Sequence, residues 1–159
     1  MLLGPRQVGK STLCRSLNPT LSINLADEEL FFAYAKEPGR LKRELAVLEP
    51  NALVLIDEVQ RVPALLNTVQ LILDEGATPP RFLLTGSSAR KLKRGNANLL
   101  PGRILLEHLD PLSYLEMGES FDLKTALQVG TLPGIYLEHR RGALDAMAVL
   151  ESYVAVYLR

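Results

Sequence analysis

Residues 4–11 read Gly-Pro-Arg-Gln-Val-Gly-Lys-Ser: a glycine, four residues, then Gly-Lys-Ser. That spacing suits a phosphate-binding loop for chemical reasons. Gly4 and Gly9 let the backbone curl through Pro5, Arg6, Gln7 and Val8, so that main-chain N–H groups face phosphate oxygens. Lys10 reaches the β- and γ-phosphates of a nucleotide, and the Ser11 hydroxyl can ligate Mg²⁺. Thr12, Leu13, Cys14 and Leu17 continue as a helix, whose N-terminal dipole also favours the anion.

A second group of residues completes the chemistry. Residues 53–60 read Leu-Val-Leu-Ile-Asp-Glu-Val-Gln. Four aliphatic residues in a row suit a strand buried on both faces of a parallel sheet. The strand ends in two carboxylates, and open α/β sheets bind ligands beyond the carboxyl ends of their strands. Asp57 is placed to hold Mg²⁺ and Glu58 to orient and deprotonate an attacking water. Successive strand residues point to opposite faces, so the two acids need not share one job. Residues 82–90, Phe-Leu-Leu-Thr-Gly-Ser-Ser-Ala-Arg, form another apolar run ending in hydroxyls. If that strand lies between the other two, Ser87 or Ser88 can sense the γ-phosphate or hold the water. A Ser N-cap opening the next helix is the plainer alternative, and both roles can coexist.

These groups need a scaffold that brings strand ends together. Strand candidates are 1–3, 21–25, 52–57, 81–86 and 103–108; helix candidates are 10–17, 27–35, 39–49, 64–75 and 111–117. The alternation predicts an α/β fold: a three-layer P-loop NTPase with a mostly parallel central sheet, followed by a small helical C-terminal segment. Asp27 reads as an N-cap, and Pro63 sits where a first helical turn tolerates proline. Beyond residue 110 the β signal fades, and 121–158 reads as helix broken at Gly130-Thr131-Leu132-Pro133-Gly134. The expected division is therefore an ATPase-type core over 1–110 and a helical lid or connector over 111–159.

The ends carry their own expectation. Only three residues precede Gly4, against a usual strand of about 5–6 residues, so the first strand reads as clipped. In the last helix, Leu144, Met147, Leu150, Val154 and Leu158 form one stripe that Ala146, Val149, Tyr153, Val156 and Tyr157 widen almost all round. Such a helix is normally buried, which implies a partner surface for 142–158 from a further domain or another copy. The plainer alternative packs it on this domain.

Bulk properties narrow the class. The 159 residues carry 18 basic and 18 acidic side chains, so net charge gives no case for nucleic acid or membrane binding. No run of about 18 apolar residues spans a bilayer. The single cysteine, Cys14, excludes an intrachain disulfide and fits a reducing cytoplasm. His108 and His139 have no second ligand at metal-binding spacing. The basic run Arg90, Lys91, Lys93, Arg94 lacks the interleaved aromatics of a nucleic-acid surface and reads as a solvated loop.

Taken in order, Gly-Pro-Arg-Gln-Val-Gly-Lys-Ser-Thr, Ile-Asp-Glu-Val-Gln-Arg-Val-Pro, Leu-Thr-Gly-Ser-Ser, Gly102-Arg103 and Leu109-Asp110-Pro111-Leu112-Ser113-Tyr114 resemble a family of prokaryotic AAA-type ATPases. Leu132-Pro133-Gly134 and the Tyr153–Leu158 run extend the resemblance over nearly the whole chain. Members carry an AAA+-like core followed by a C-terminal domain. The resemblance implies ATP and Mg²⁺, with the Ser87 strand between the phosphate-loop strand and the Asp57 strand. It implies phosphate binding by Gly4 to Ser11, a metal role for Asp57, a general base in Glu58 and a sensor in Ser87. It also implies an assisting arginine, for which Arg90 and Arg103 are candidates and Arg103 is preferred. The leading function is hydrolysis of the ATP β–γ bond, coupled to movement of a following domain or partner. A nucleotide-gated switch with little turnover is the alternative; a GTPase is disfavoured because no Asn-Lys-x-Asp motif occurs.

Overall fold

A computed structural model describes residues 1–76, 78–87, 102–140, 142 and 146–157. Ser88, Arg90, the basic run through Arg94, and Leu144 and Leu158 of the terminal stripe lie outside them. The chain divides into two compact units, one of residues 1–4 with 10–108 and one of residues 5–9 with 109–159.

The first unit alternates strand and helix: β1 (Leu2–Leu3), α1 (Lys10–Ser16), β2 (Leu21–Asn24), α2 (Glu28–Lys36), α3 (Arg40–Leu45), β3 (Leu53–Asp57), α4 (Ala64–Glu75), β4 (Arg81–Gly86) and β5 (Glu107–His108). The strands form one sheet in the order β2-β3-β4-β1-β5, and every neighbouring pair is parallel. β4 thus lies between β1 and β3, as the resemblance implies. The register pairs Asn24 with Asp57, Ile56 with Leu84, and Leu3 with both Gly86 and His108. All strands therefore finish at one end of the sheet. The β1→β2 crossover runs opposite to the β2→β3→β4 steps, so right-handed connections place α1 on one face and α2 to α4 on the other.

The interior strand β3 is buried as its composition requires. Val54, Leu55 and Ile56 are fully buried, the mark of a strand covered on both faces. From α4, Leu65, Leu66, Val69 and Ile72 join the same core, a spacing that puts all four on one side of a helix. Asp27 caps α2, accepting from the Glu29 and Leu30 amides at 2.9 and 3.1 Å. The expected strand 103–108 is much shorter, because β5 pairs only along Leu2 and Leu3. A ladder extends no further than its partner, and Gly102, at φ 74°, turns the chain just upstream.

The second unit is helical: α5 (Tyr114–Met117), α6 (Leu123–Val129), α7 (Pro133–Arg140) and α8 (Ala146–Tyr157). Ser113 and Glu116 cap α5 reciprocally, which starts this helix later than the expected 111. Gly130 ends α6 at φ 73° and Pro133 opens α7. Met117, Val129, Ile135 and Tyr136 are its buried core, and Val149 and Leu150 of α8 pack against it. Met147 and Val154 on the same helix remain about half exposed. The Tyr153 hydroxyl donates to the Arg6 carbonyl at 3.3 Å.

Candidate nucleotide-binding site

The loop after β1 takes the conformation its glycines permit. φ is positive at Gly4 (154°), Gln7 (64°) and Gly9 (98°). A side chain at residue 9 would find open space, so backbone conformation and not crowding calls for glycine there. Lys10 opens α1, is buried, and donates from Nζ to the Gly4 carbonyl at 2.9 Å. The lysine is thereby tied back to the residue that ends the first stretch of the sheet unit. Ser11 follows in the first turn of α1 and Thr12 is exposed.

Asp57 closes β3 and is only 3% exposed. A buried carboxylate needs partners, and Asp57 has them. The Thr85 hydroxyl donates to its Oδ1, and the Arg15 guanidinium lies 3.8 Å from its Oδ2. Thr85 is fully buried one step beyond the Ile56–Leu84 pair. Its oxygen in turn accepts the Glu58 amide at 3.1 Å. One hydroxyl therefore fixes the Asp57 carboxylate and the backbone of the next residue together. Cys14, buried beneath this end of α1, has its thiol pushed up first by burial and then by the Asp57 charge, which keeps it protonated and unreactive.

Glu58 adopts φ 58°, ψ 42°, the left-handed region. A non-glycine residue pays about 1–2 kcal/mol for that conformation, so neighbouring contacts must hold it. A 3₁₀ turn, Val59–Arg61, follows directly. Val59 is fully buried. Arg61 donates to the Leu25 and Ala26 carbonyls at 2.8 and 3.0 Å, pairs with Glu28 at 2.6 Å, and stacks 4.4 Å from the Phe31 ring centre. The turn is thus tied to the end of β2. Gln60, in its middle, donates to the Glu58 carboxylate and to Ser87 Oγ.

Lys10, Ser11, Asp57, Glu58 and Ser87 therefore share one end of the sheet. Arg103 does not join them. It precedes β5 by several residues, and its guanidinium pairs with Asp74 at 2.6 Å, near the last turn of α4. α4 leads from the end of β3 back to the start of β4, so this pair lies where the strands begin. The pattern of residue types missed Thr85, Gln60, Arg61 and Arg15. Thr85 and Gln60 stand inside the quoted motifs, and register and backbone turn, not residue type, reveal their contacts.

A parallel sheet of this order, with a phosphate-type loop after its first strand and an acid pair at the end of β3, defines the P-loop class of nucleotide-binding domains. Residues 1–118 match the family model of the AAA domain, and the chain belongs to that family of nucleotide-binding, ATPase-type modules. Uncharacterised proteins of Mycobacterium bovis and Mycobacterium tuberculosis are each 30% identical to it over 159 residues, covering 99% of this chain and 34% of theirs. The chain thus spans about a third of the length of these curated relatives. Among solved structures, C. elegans PCH-2 aligns with a TM-score of 0.46 at 16% identity, over 99% of this chain and 54% of that one. Among the described residues, no helix is long and apolar enough to cross a membrane.

Proposed function

We propose that this domain binds ATP and hydrolyses its β–γ bond, coupling the reaction to a conformational change in a following domain or partner. The observation that carries the reading is the convergence of Lys10, Ser11, Asp57, Glu58 and Ser87 at one end of the sheet in a chain of the AAA domain family. Lys10 and the main-chain amides of residues 4–11 bind and orient the phosphates. Glu58 takes the proton of the attacking water. Ser87 senses the γ-phosphate. Positioning and charge compensation of this kind supply most of the acceleration in phosphoryl transfer.

The donor set fits Mg²⁺. Asp57 and Ser11 offer hard oxygens, and the buried Asp57 keeps Oδ2 apart from the Thr85 hydrogen bond. When bound, Mg²⁺ neutralises charge on the β- and γ-phosphates. Arg103 sits away from its own chain's strand ends, so an assisting role for it would be toward the nucleotide of a neighbouring copy, with its Asp74 pair broken. Self-association through 142–158 and a cytoplasmic setting belong to the same proposal.

Glu58→Gln tests the reading, because it keeps shape and hydrogen bonding while removing the base. ATP affinity should persist by calorimetry, and phosphate release should fall on the order of 10²–10⁴-fold. ATP binding with no Glu58-dependent phosphate release would favour the switch.

A further inference from the structure

We propose that Gln60 is a positioning residue that couples the base Glu58 to the γ-phosphate-sensing hydroxyl of Ser87. The inference rests on the hydrolytic reading above and names how its two parts are aligned. Gln60 Nε2 carries two N–H groups, and both are used at this end of the sheet. One goes to the Glu58 carboxylate and the other to Ser87 Oγ, the latter at 3.3 Å.

The amide is held from below and from one side. Below it, the 3₁₀ turn is anchored by buried Val59 and by Arg61 on the Leu25 and Ala26 carbonyls. Beside it lies Gly86, the last residue of β4. A Cβ at residue 86 would stand 2.8 Å from Gln60 Oε1 and 3.3 Å from Leu3 Cδ2. The absence of a side chain at residue 86 therefore makes the space that the amide fills. Oε1 itself is buried with no hydrogen-bond partner among the described residues. A buried carbonyl left unpaired is costly. It is tolerated where the donor end of the same amide has work that fixes its orientation.

That orientation has chemical consequences. An N–H on one Glu58 oxygen stops the carboxylate from rotating freely and leaves its other oxygen to accept from water. An N–H on Ser87 Oγ occupies the oxygen as acceptor, so the serine O–H is turned outward as a donor. An anionic γ-phosphate oxygen is what such a donor suits. One planar amide thus sets the base and the sensor in fixed relation, and a pull on Ser87 is felt at Glu58.

The test uses the full-length protein with Gln60→Leu, which keeps volume and loses both donors, and Gly86→Ala, whose methyl displaces the amide while every polar group remains. Gln60→Leu is expected to lower kcat on the order of 10–100-fold, with KM changed less than about threefold. It should also narrow the ATP-over-ADP affinity ratio measured by calorimetry. Gly86→Ala should show the same split more weakly, and it carries the test if Gln60→Leu does not fold. Added to Glu58→Gln, Gln60→Leu should cost no further turnover, because both changes act on one group. Unchanged kcat in both variants, or a full additional loss in the Glu58→Gln background, overturns the proposal. If Glu58→Gln alone leaves turnover intact, the base assignment fails instead. The affinity ratio then decides the Gln60–Ser87 link, and an unaltered ratio overturns it.

Discussion

The two units of this chain are held together in different ways. The sheet unit rests on parallel ladders and a large apolar cluster running from Leu3 through Leu84. The helical unit has a small apolar cluster around Met117, Val129, Ile135 and Tyr136 and depends on polar stitches. Ser113 and Glu116 cap α5, Asp122 caps α6, and the Tyr136 hydroxyl accepts from the Asp122 amide and donates to the Ser120 carbonyl. The difference teaches where precision resides. Side chains at strand ends inherit their positions from a rigid, many-partnered lattice. Helices joined by a few caps inherit theirs from single hydrogen bonds, each replaceable at small cost.

Four substitutions would break or sharpen that contrast. The largest structural effect is expected in the sheet unit: Leu66→Ala, at a fully buried position, should cost about 2–5 kcal/mol in denaturant unfolding. A smaller loss there would mean the cluster relaxes more freely than its burial implies. Lys10→Ala should weaken ATP–Mg²⁺ binding by roughly 1.5–3 kcal/mol, the worth of a charge-assisted hydrogen bond; unchanged affinity in calorimetry would remove the lysine from the site. In the helical unit, Tyr136→Phe keeps the buried ring and deletes two hydrogen bonds, for an expected cost of about 1–2 kcal/mol. Faster amide exchange at Val129 and Ile135 would register it, and unaltered exchange would show that apolar packing dominates after all. Leu127, 80% exposed, should tolerate alanine within about 0.5 kcal/mol. A melting shift well beyond that would place a packing surface on α6.

Much of the sheet unit was legible in the sequence because its signals are local. The phosphate-loop spacing, the Leu53–Ile56 run and the Asp27 cap each declare themselves within a few residues. β5 did not. The sequence pattern suggests a strand over 103–108, but pairing length is set by Leu2 and Leu3, far away in sequence. The candidate site divides along the same line. Residue type and spacing pointed to Lys10, Ser11, Asp57 and Glu58. The Thr85 bridge needs the β3–β4 register, and the Gln60 contacts need the left-handed turn at Glu58. Arg103 shows the converse: a plausible residue type whose partner, Asp74, no local pattern reveals. Of the apolar stripe expected on the last helix, Val149 and Leu150 meet the core, while Met147 and Val154 are about half exposed among the described residues.

The left-handed backbone at Glu58 sets two selections against each other. Glycine or asparagine would occupy that conformation with less strain. In a library screened only for folded protein, position 58 should therefore drift toward those residues. Screened for turnover, the same library should recover glutamate despite its conformational penalty. The gap between the two outcomes would measure how much stability this one position gives up for its chemistry.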